Sequence, residues 1–264
     1  MTAEELIHSA QPQEALAELQ AEIRRKPEDQ RLRIFLFQLN CVLGRWAKAL
    51  TQLQVLAGLD PQTSLLAHIF RPVIESEVFR TEVFAGHRKP LIFGEPEEWM
   101  GTLLQASDCV AGGQFAAAAR LREQAFAAAP ATCGRVDGQS FQWIADADSR
   151  LGPMLEVIIA DRYFWVPFCR IRRIALEKPT DLRDLVWLPA QFVWVNGGEA
   201  SGHIPTRYPG SDQSPDGPLC LARTTVWREQ PHGCFLGLGQ RVIATDQFER
   251  GLLECRVIDL EEST

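Results

Sequence analysis

The sequence predicts an α+β chain in two parts, tetratricopeptide-like helical repeats followed by a β-rich domain of small-barrel or sandwich type. Three observations predict it. The first half resembles itself at an offset of 34 residues, Ala15 onto Ala49, the period of a tetratricopeptide unit. Near Thr132 an alanine-rich helical pattern gives way to short aromatic and β-branched runs. Asn196-Gly197 stands between two such runs as a hairpin signal. The expected division is 1–131 helical and 132–264 strand-rich.

Along the helical part, the same alignment pairs Leu16 with Leu50, Leu19 with Leu53 and Pro27 with Pro61. A third copy starts at Gly113, 69 positions after Gly44, and ends at Pro130. Gly44 and Gly113 belong at turns between helices, where a missing Cβ relaxes the backbone. Ala49 and Ala118 are small, as close approach of two helix axes requires. Prolines 61 and 130 mark helix ends. Between the second and third copies, residues 62–71 and 72–85 read as two helices broken at Pro72. Gly86 and His87-Arg-Lys89 suit a helix C-terminus. Lys89 to Pro96 then reads as a loop before a helix opening at Trp99.

In the second part, Arg162–Pro167 and Arg170–Ala175 read as strands, and Thr180–Leu185 as one helical turn capped by Thr180. Phe192–Val195 and Glu199–Ile204 form the expected hairpin, with positive φ at both Asn196 and Gly197. Pro205–Pro218, rich in Pro, Gly, Ser and Asp, reads as a long exposed loop. Strands follow near Leu219–Trp227, Arg241–Thr245 and Leu252–Leu260. Strands and helices do not alternate as βαβ units, which argues against a dinucleotide fold.

Composition narrows the function classes. A net charge of −7 over 264 residues disfavours a polyanion partner, and Arg170-Ile-Arg-Arg173 is ordinary surface charge. Met1–Leu6 lacks the basic start and apolar run of a signal peptide, and no apolar stretch approaches the roughly 20 residues of a membrane span. The seven cysteines never come closer than 14 positions, which is neither a disulfide framework nor a zinc site, so reduced thiols in the cytoplasm are expected. His8, His68, His87, His203 and His232 share no helical or strand spacing, and Gly237-Leu-Gly239 reads as turn glycines. Neither a catalytic constellation nor a cofactor site is expected. One cluster bears on chemistry: Asp146 and Asp148, two apart, put both carboxylates on one face of a strand. They could chelate a divalent cation in a metal-assisted hydrolase, or cap turns and pair with Arg150.

Longer strings carry a resemblance. Phe93–Trp99, Asp137–Pro153, Arg162–Phe168, Asp181–Trp187, Asn196–Ala200, Ile204–Gly210, Leu238–Arg241 and Ala244–Asp246 are similar, in order, to the signature stretches of the ImpE/TagJ family. The resemblance implies a non-enzymatic cytoplasmic adaptor of the bacterial type VI secretion system. In that family the partners are the N-terminal helix of the small contractile-sheath subunit and, through a link, the AAA+ ATPase that recycles sheath. The resemblance implies no catalytic residues. The inner face of the second repeat (Ile34, Gln38, Cys41 and Val42) is the candidate groove for such a helix. These positions are too apolar for the carboxylate clamp of a general tetratricopeptide co-chaperone, the remaining alternative.

Overall fold

A computed structural model describes residues 1–59 and 61–261. Asp60, at the expected end of the second repeat, lies outside the described residues. The first half holds α1 (Ala3–His8), α2 (Pro12–Arg25), α3 (Gln30–Val42), α4 (Trp46–Ala57), α5 (Pro61–Phe84), α6 (Glu98–Ala111) and α7 (Phe115–Ala128). Their starts are written in the sequence. Thr2 and Glu5 form a capping box on α1, and the Asp29 carboxylate accepts from Arg31 N at 2.9 Å to cap α3. Gly44 and Gly113 take φ of +62° and +70° just before α4 and α7. The fourth residue of α2, α4 and α7 is Ala15, Ala49 and Ala118 respectively, and none has any exposed surface. An equivalent small residue at each helix contact is the repeat in physical form.

Three expectations about this half are corrected. Residues 61–84 form one helix with Pro72 inside it, not two helices. A proline removes one backbone hydrogen bond at a cost of about 3 kcal/mol, but Phe70, Val73, Ile74 and Arg80 on both sides of it are buried, which holds the helix together. Pro61 opens α5 rather than closing α4, a position where its missing N–H is no loss. The segment from Lys89 to Pro96, expected as a loop, contains β1 (Leu91–Ile92), which pairs in parallel with Phe164 and Trp165 and carries the sheet into the helical half.

The second half holds β2 (Gly134–Val136), β3 (Gln139–Phe141), β4 (Ile144–Asp146), β5 (Met154–Ile159), β6 (Arg162–Pro167), β7 (Ile171–Leu176), β8 (Trp187–Trp194) and β9 (Glu199–Pro205). A short helix α8 (Gly217–Cys220) precedes β10 (Thr225–Gln230), β11 (Cys234–Gly239), β12 (Val242–Thr245), β13 (Glu249–Gly251) and β14 (Val257–Leu260). The main sheet runs β1-β6-β5-β9-β8-β7-β14-β2-β3. A ribbon β10-β11 and a small sheet β13-β12-β4 complete it. Strand alternation sorts β5 onto two faces. Met154 and Ile158 join the core under the helices, while Leu155, Val157 and Ile159 join a second core closed by Ile243 and Leu252.

The turns depart from expectation in an instructive way. At the Asn196-Gly197 hairpin only Gly197 has positive φ, +81°. The paired positive-φ turns are Asp137-Gly138, Ala160-Asp161 and His232-Gly233, which close β2–β3, β5–β6 and β10–β11. The turn at 182–185 is capped by Asp181, not Thr180. Residues 219–227 are not one strand: α8 ends at Cys220 and β10 begins at Thr225. Residues 252–254 form a 3-10 turn before β14 rather than the start of a strand. Gly237 and Gly239 lie in β11, not in a turn. The loop after Pro205 is only partly exposed: Thr206, Arg207, Tyr208 and Ser211 are buried, while Gly210, Gln213, Pro215 and Asp216 are exposed.

Candidate functional site

Glu156 interrupts the apolar run of β5 and points at the helices, where it is completely buried. Arg80 of α5 donates to it through Nε at 2.5 Å and Nη2 at 3.0 Å. Arg241 and the Tyr163 hydroxyl donate to the same carboxylate. Arg80 also donates through Nη1 to Glu77 at 2.8 Å and through Nη2 to the Arg207 carbonyl at 2.9 Å. The other Glu77 oxygen accepts the Trp187 indole N–H at 2.9 Å. On the far side, Arg241 donates to Asp146, which also accepts from Asp148 N at 2.9 Å and the Tyr208 hydroxyl at 3.0 Å. Asp148 takes Arg150 through Nε at 2.8 Å and Nη2 at 2.6 Å, and Gly237 N at 2.8 Å. Arg207 donates to the last carbonyls of α3, Val42 at 2.6 Å and Cys41 at 3.3 Å, a cation at the negative end of a helix.

Three guanidiniums (Arg80, Arg150, Arg241) thus meet four carboxylates (Glu77, Asp146, Asp148, Glu156) in a buried set, to which the buried Arg207 is joined through its carbonyl. Burial acts to raise the Glu156 pKa, but Arg80 and Arg241 overcome it and hold the group down at about 2. Asp146 goes the other way. Burial lifts it to about 6, because Asp148 and Glu156 nearby work against the attraction of Arg241. Burial lowers His203 to about 4, where its ring lies 5.6 Å from that of Phe70. The buried cysteines Cys41, Cys220, Cys234 and Cys255 are free, and burial pushes their thiols up, Cys255 to about 12.

This decides between the two readings of Asp146 and Asp148. Asp146 ends β4 and Asp148 lies beyond it in a turn, and their oxygens are spent on arginines, a tyrosine and backbone N–H groups. Among the described residues no three His, Cys, Asp or Glu side chains are grouped to hold a metal ion. Arg150 pairs with Asp148, as one of the two readings expects, but the rest of the set was not foreseen. Arg80, Glu156, Arg207 and Arg241 come from remote parts of the chain, though Glu156 inside Met154–Ile159 is a visible anomaly, a charge in a continuous apolar strand.

The four groove candidates separate. Cys41 and Val42 have no exposed surface and lie in the core, facing neither solvent nor a groove. Gln38 is nearly buried and ties α3 to the 179–185 turn: its amide accepts from Leu182 N at 2.9 Å and donates to Asp181 at 3.2 Å. Ile34 is half-buried. Ile34 and Gln38 do border a surface groove of about 580 Å³ between α1, α3 and that turn. Its apolar floor includes Ile7, Phe35, Leu182 and Leu185, and Glu4, His8, Arg31, Asp181 and Arg223 stand around it.

Fold and site together define a helical-repeat half clamped onto a strand-rich half by buried ion pairs, with grooves on its surface. The ImpE protein family model matches residues 138–259. Over 99% of this chain and 92% of its own length, the type VI secretion system accessory component TagJ of Pseudomonas aeruginosa is 44% identical. The chain belongs to the ImpE/TagJ family. The crystal structure of protein VPA1032 from Vibrio parahaemolyticus shares the fold, with a TM-score of 0.89 at 24% identity over 98% of this chain and 97% of that one. Among the described residues no helix is long and apolar enough to cross a membrane.

Proposed function

We propose that this protein is a cytoplasmic, non-enzymatic accessory component of a type VI secretion system that acts by binding other proteins of that machine. The observation that carries the reading is the 44% identity over 99% of the chain to a component of that name. The finer assignment is an adaptor that binds the N-terminal helix of the small contractile-sheath subunit and links it to the AAA+ sheath-recycling ATPase. Two features support a binding role. The carboxylates best placed for chemistry, Asp146 and Asp148, are neutralised by Arg241 and Arg150. The helical half offers a partly apolar groove beside the repeat. The test is titration calorimetry of the purified protein with the small sheath subunit of the same organism, and with the ATPase. Saturable binding of the sheath subunit is expected; its absence at micromolar concentrations removes the reading.

A further inference from the structure

The groove between α1, α3 and the 179–185 turn has walls that constrain what can occupy it. Its sides are helix surfaces, whose backbone groups are bonded within the helices. In the turn, Thr180 N and Asp181 N donate to Asp184, and Leu182 N donates to Gln38. The last carbonyls of α1, at Ile7 and His8, accept from Arg223 at 2.8 Å each. No strand edge is offered, so an extended peptide would leave its own N–H and C=O groups without partners on these walls. A helix, which satisfies its backbone internally, has no such loss.

Charge narrows the occupant further. Arg31 and Arg223 border the groove and are exposed, and neither guanidinium has a carboxylate partner among the described residues. Asp181 is already held by Arg183 at 2.5 Å, which leaves Glu4 as the one unpaired carboxylate of the rim among the described residues. Arg31 also stands in the first turn of α3, a turn with no acidic residue. A cation there opposes the helix dipole, and the nearby Asp29 carboxylate is engaged by Arg31 N and Leu32 N rather than by the guanidinium. In a chain of net charge −7, such a placement suits an anion from outside.

We propose that this groove receives one amphipathic helix, its apolar face on Ile34, Phe35, Leu182 and Leu185 and an acidic flank against Arg31 and Arg223. The inference rests on the binding role proposed above and locates it at the seam where a repeat helix meets the strand-rich half. The experiment is fluorescence anisotropy of a labelled synthetic peptide, the N-terminal segment of the small sheath subunit, with the full-length protein. Arg31→Glu changes an exposed side chain and leaves the fold intact, checked by circular dichroism; Ile34→Ala probes the apolar floor. Each is expected to weaken binding at least tenfold, and the Arg31→Glu effect is expected to shrink as salt is raised. Trp143→Ala, in a different surface groove bordered by Phe126, is expected to bind within twofold of wild type. If folded Arg31→Glu binds as wild type does, the assignment is overturned while the binding role stands. If the wild-type protein binds neither the peptide nor the whole sheath subunit, both fall together.

Discussion

The two faces of the main sheet solve the same packing problem in opposite ways. The face away from the helices closes on an apolar core: Val157, Val166, Ile174, Phe192, Ile204 and Ile243 are all buried there. The face toward the helices carries Glu156 alongside Met154, Trp165 and Trp187, and there Glu156 meets Arg80 of α5 and Arg241, which also holds Asp146. An apolar core is held by area and tolerates sliding, because dispersion and burial are non-directional. A buried ion set has little net stabilising value against well-packed apolar groups, but it permits one arrangement, since any other leaves a charge unpaired. The helical half is therefore held at one register on the sheet, and its repeat helices are placed by chemistry as well as by shape.

The largest way to break the comparison is to separate the halves. One core joins Leu19, Leu53 and Ile74 of the helices to Met154, Trp165 and Trp187 of the strands. A fragment ending at residue 131 is expected to lose cooperative unfolding, whereas the whole chain should show coincident urea transitions by far-ultraviolet dichroism and tryptophan fluorescence; independent folding of 1–131 would show that the halves are autonomous. Next comes Arg241→Ala, which leaves Glu156 short of a partner and Asp146 without its cation; a loss of about 3–5 kcal/mol is expected from urea midpoints.

A pH series sharpens the comparison. The folded-state pKa of Glu156, about 2, lies below its ordinary 4.5. Its contribution is therefore complete above the ordinary value and is lost as pH falls toward 2, on the order of 3 kcal/mol. Glu156→Gln should flatten that acid limb. Asp146, raised from 3.8 to about 6, has the opposite sign: its contribution is lost as pH rises through that interval. Asp146→Asn should remove the slope there, and a slope unchanged by the substitution would assign it to another group. The smallest expected effect is on the apolar face, where Ile174→Val should cost about 1 kcal/mol and leave the pH profile unmoved.

What could be read from the sequence follows the same divide. The repeat was legible because close helix contacts demand a small residue at fixed spacing, and Ala15, Ala49 and Ala118 supply it. Strands β6, β7, β8, β9 and β12 were legible from their aromatic and β-branched runs. β5 was not identified, although it is an inner strand of the main sheet, because burial on both faces erases the alternation that marks a strand. The Pro205–Pro218 segment misled because proline, glycine and serine signal turns whether a turn is wet or buried, and Arg207 and Tyr208 draw this one inward. The candidate groove was half legible: helical spacing placed Ile34 and Gln38 on one stripe, but nothing local shows that the same helix buries Cys41 and Val42 a turn later. The pairing of Asp148 with Arg150 was legible because it is local, whereas Arg241 reaches Asp146 across 95 positions, which no local pattern encodes.

One contact sets the position of the whole ionic set. A Cβ built on Gly237 would fall 2.2 Å from the Tyr208 ring, so the ring occupies the volume a side chain would need. The same residue gives its N–H to Asp148, and the ring seated against it carries the hydroxyl that reaches Asp146. The absence of a single carbon atom thus works as a gauge. It sets the depth to which Tyr208 sinks, and with it the distance between the β10–β11 ribbon and the charges beneath. Any side chain at position 237 would lift the ring from its bed and slacken both aspartates at once, a mechanical linkage between the exposed ribbon and the most deeply buried pairs of the molecule.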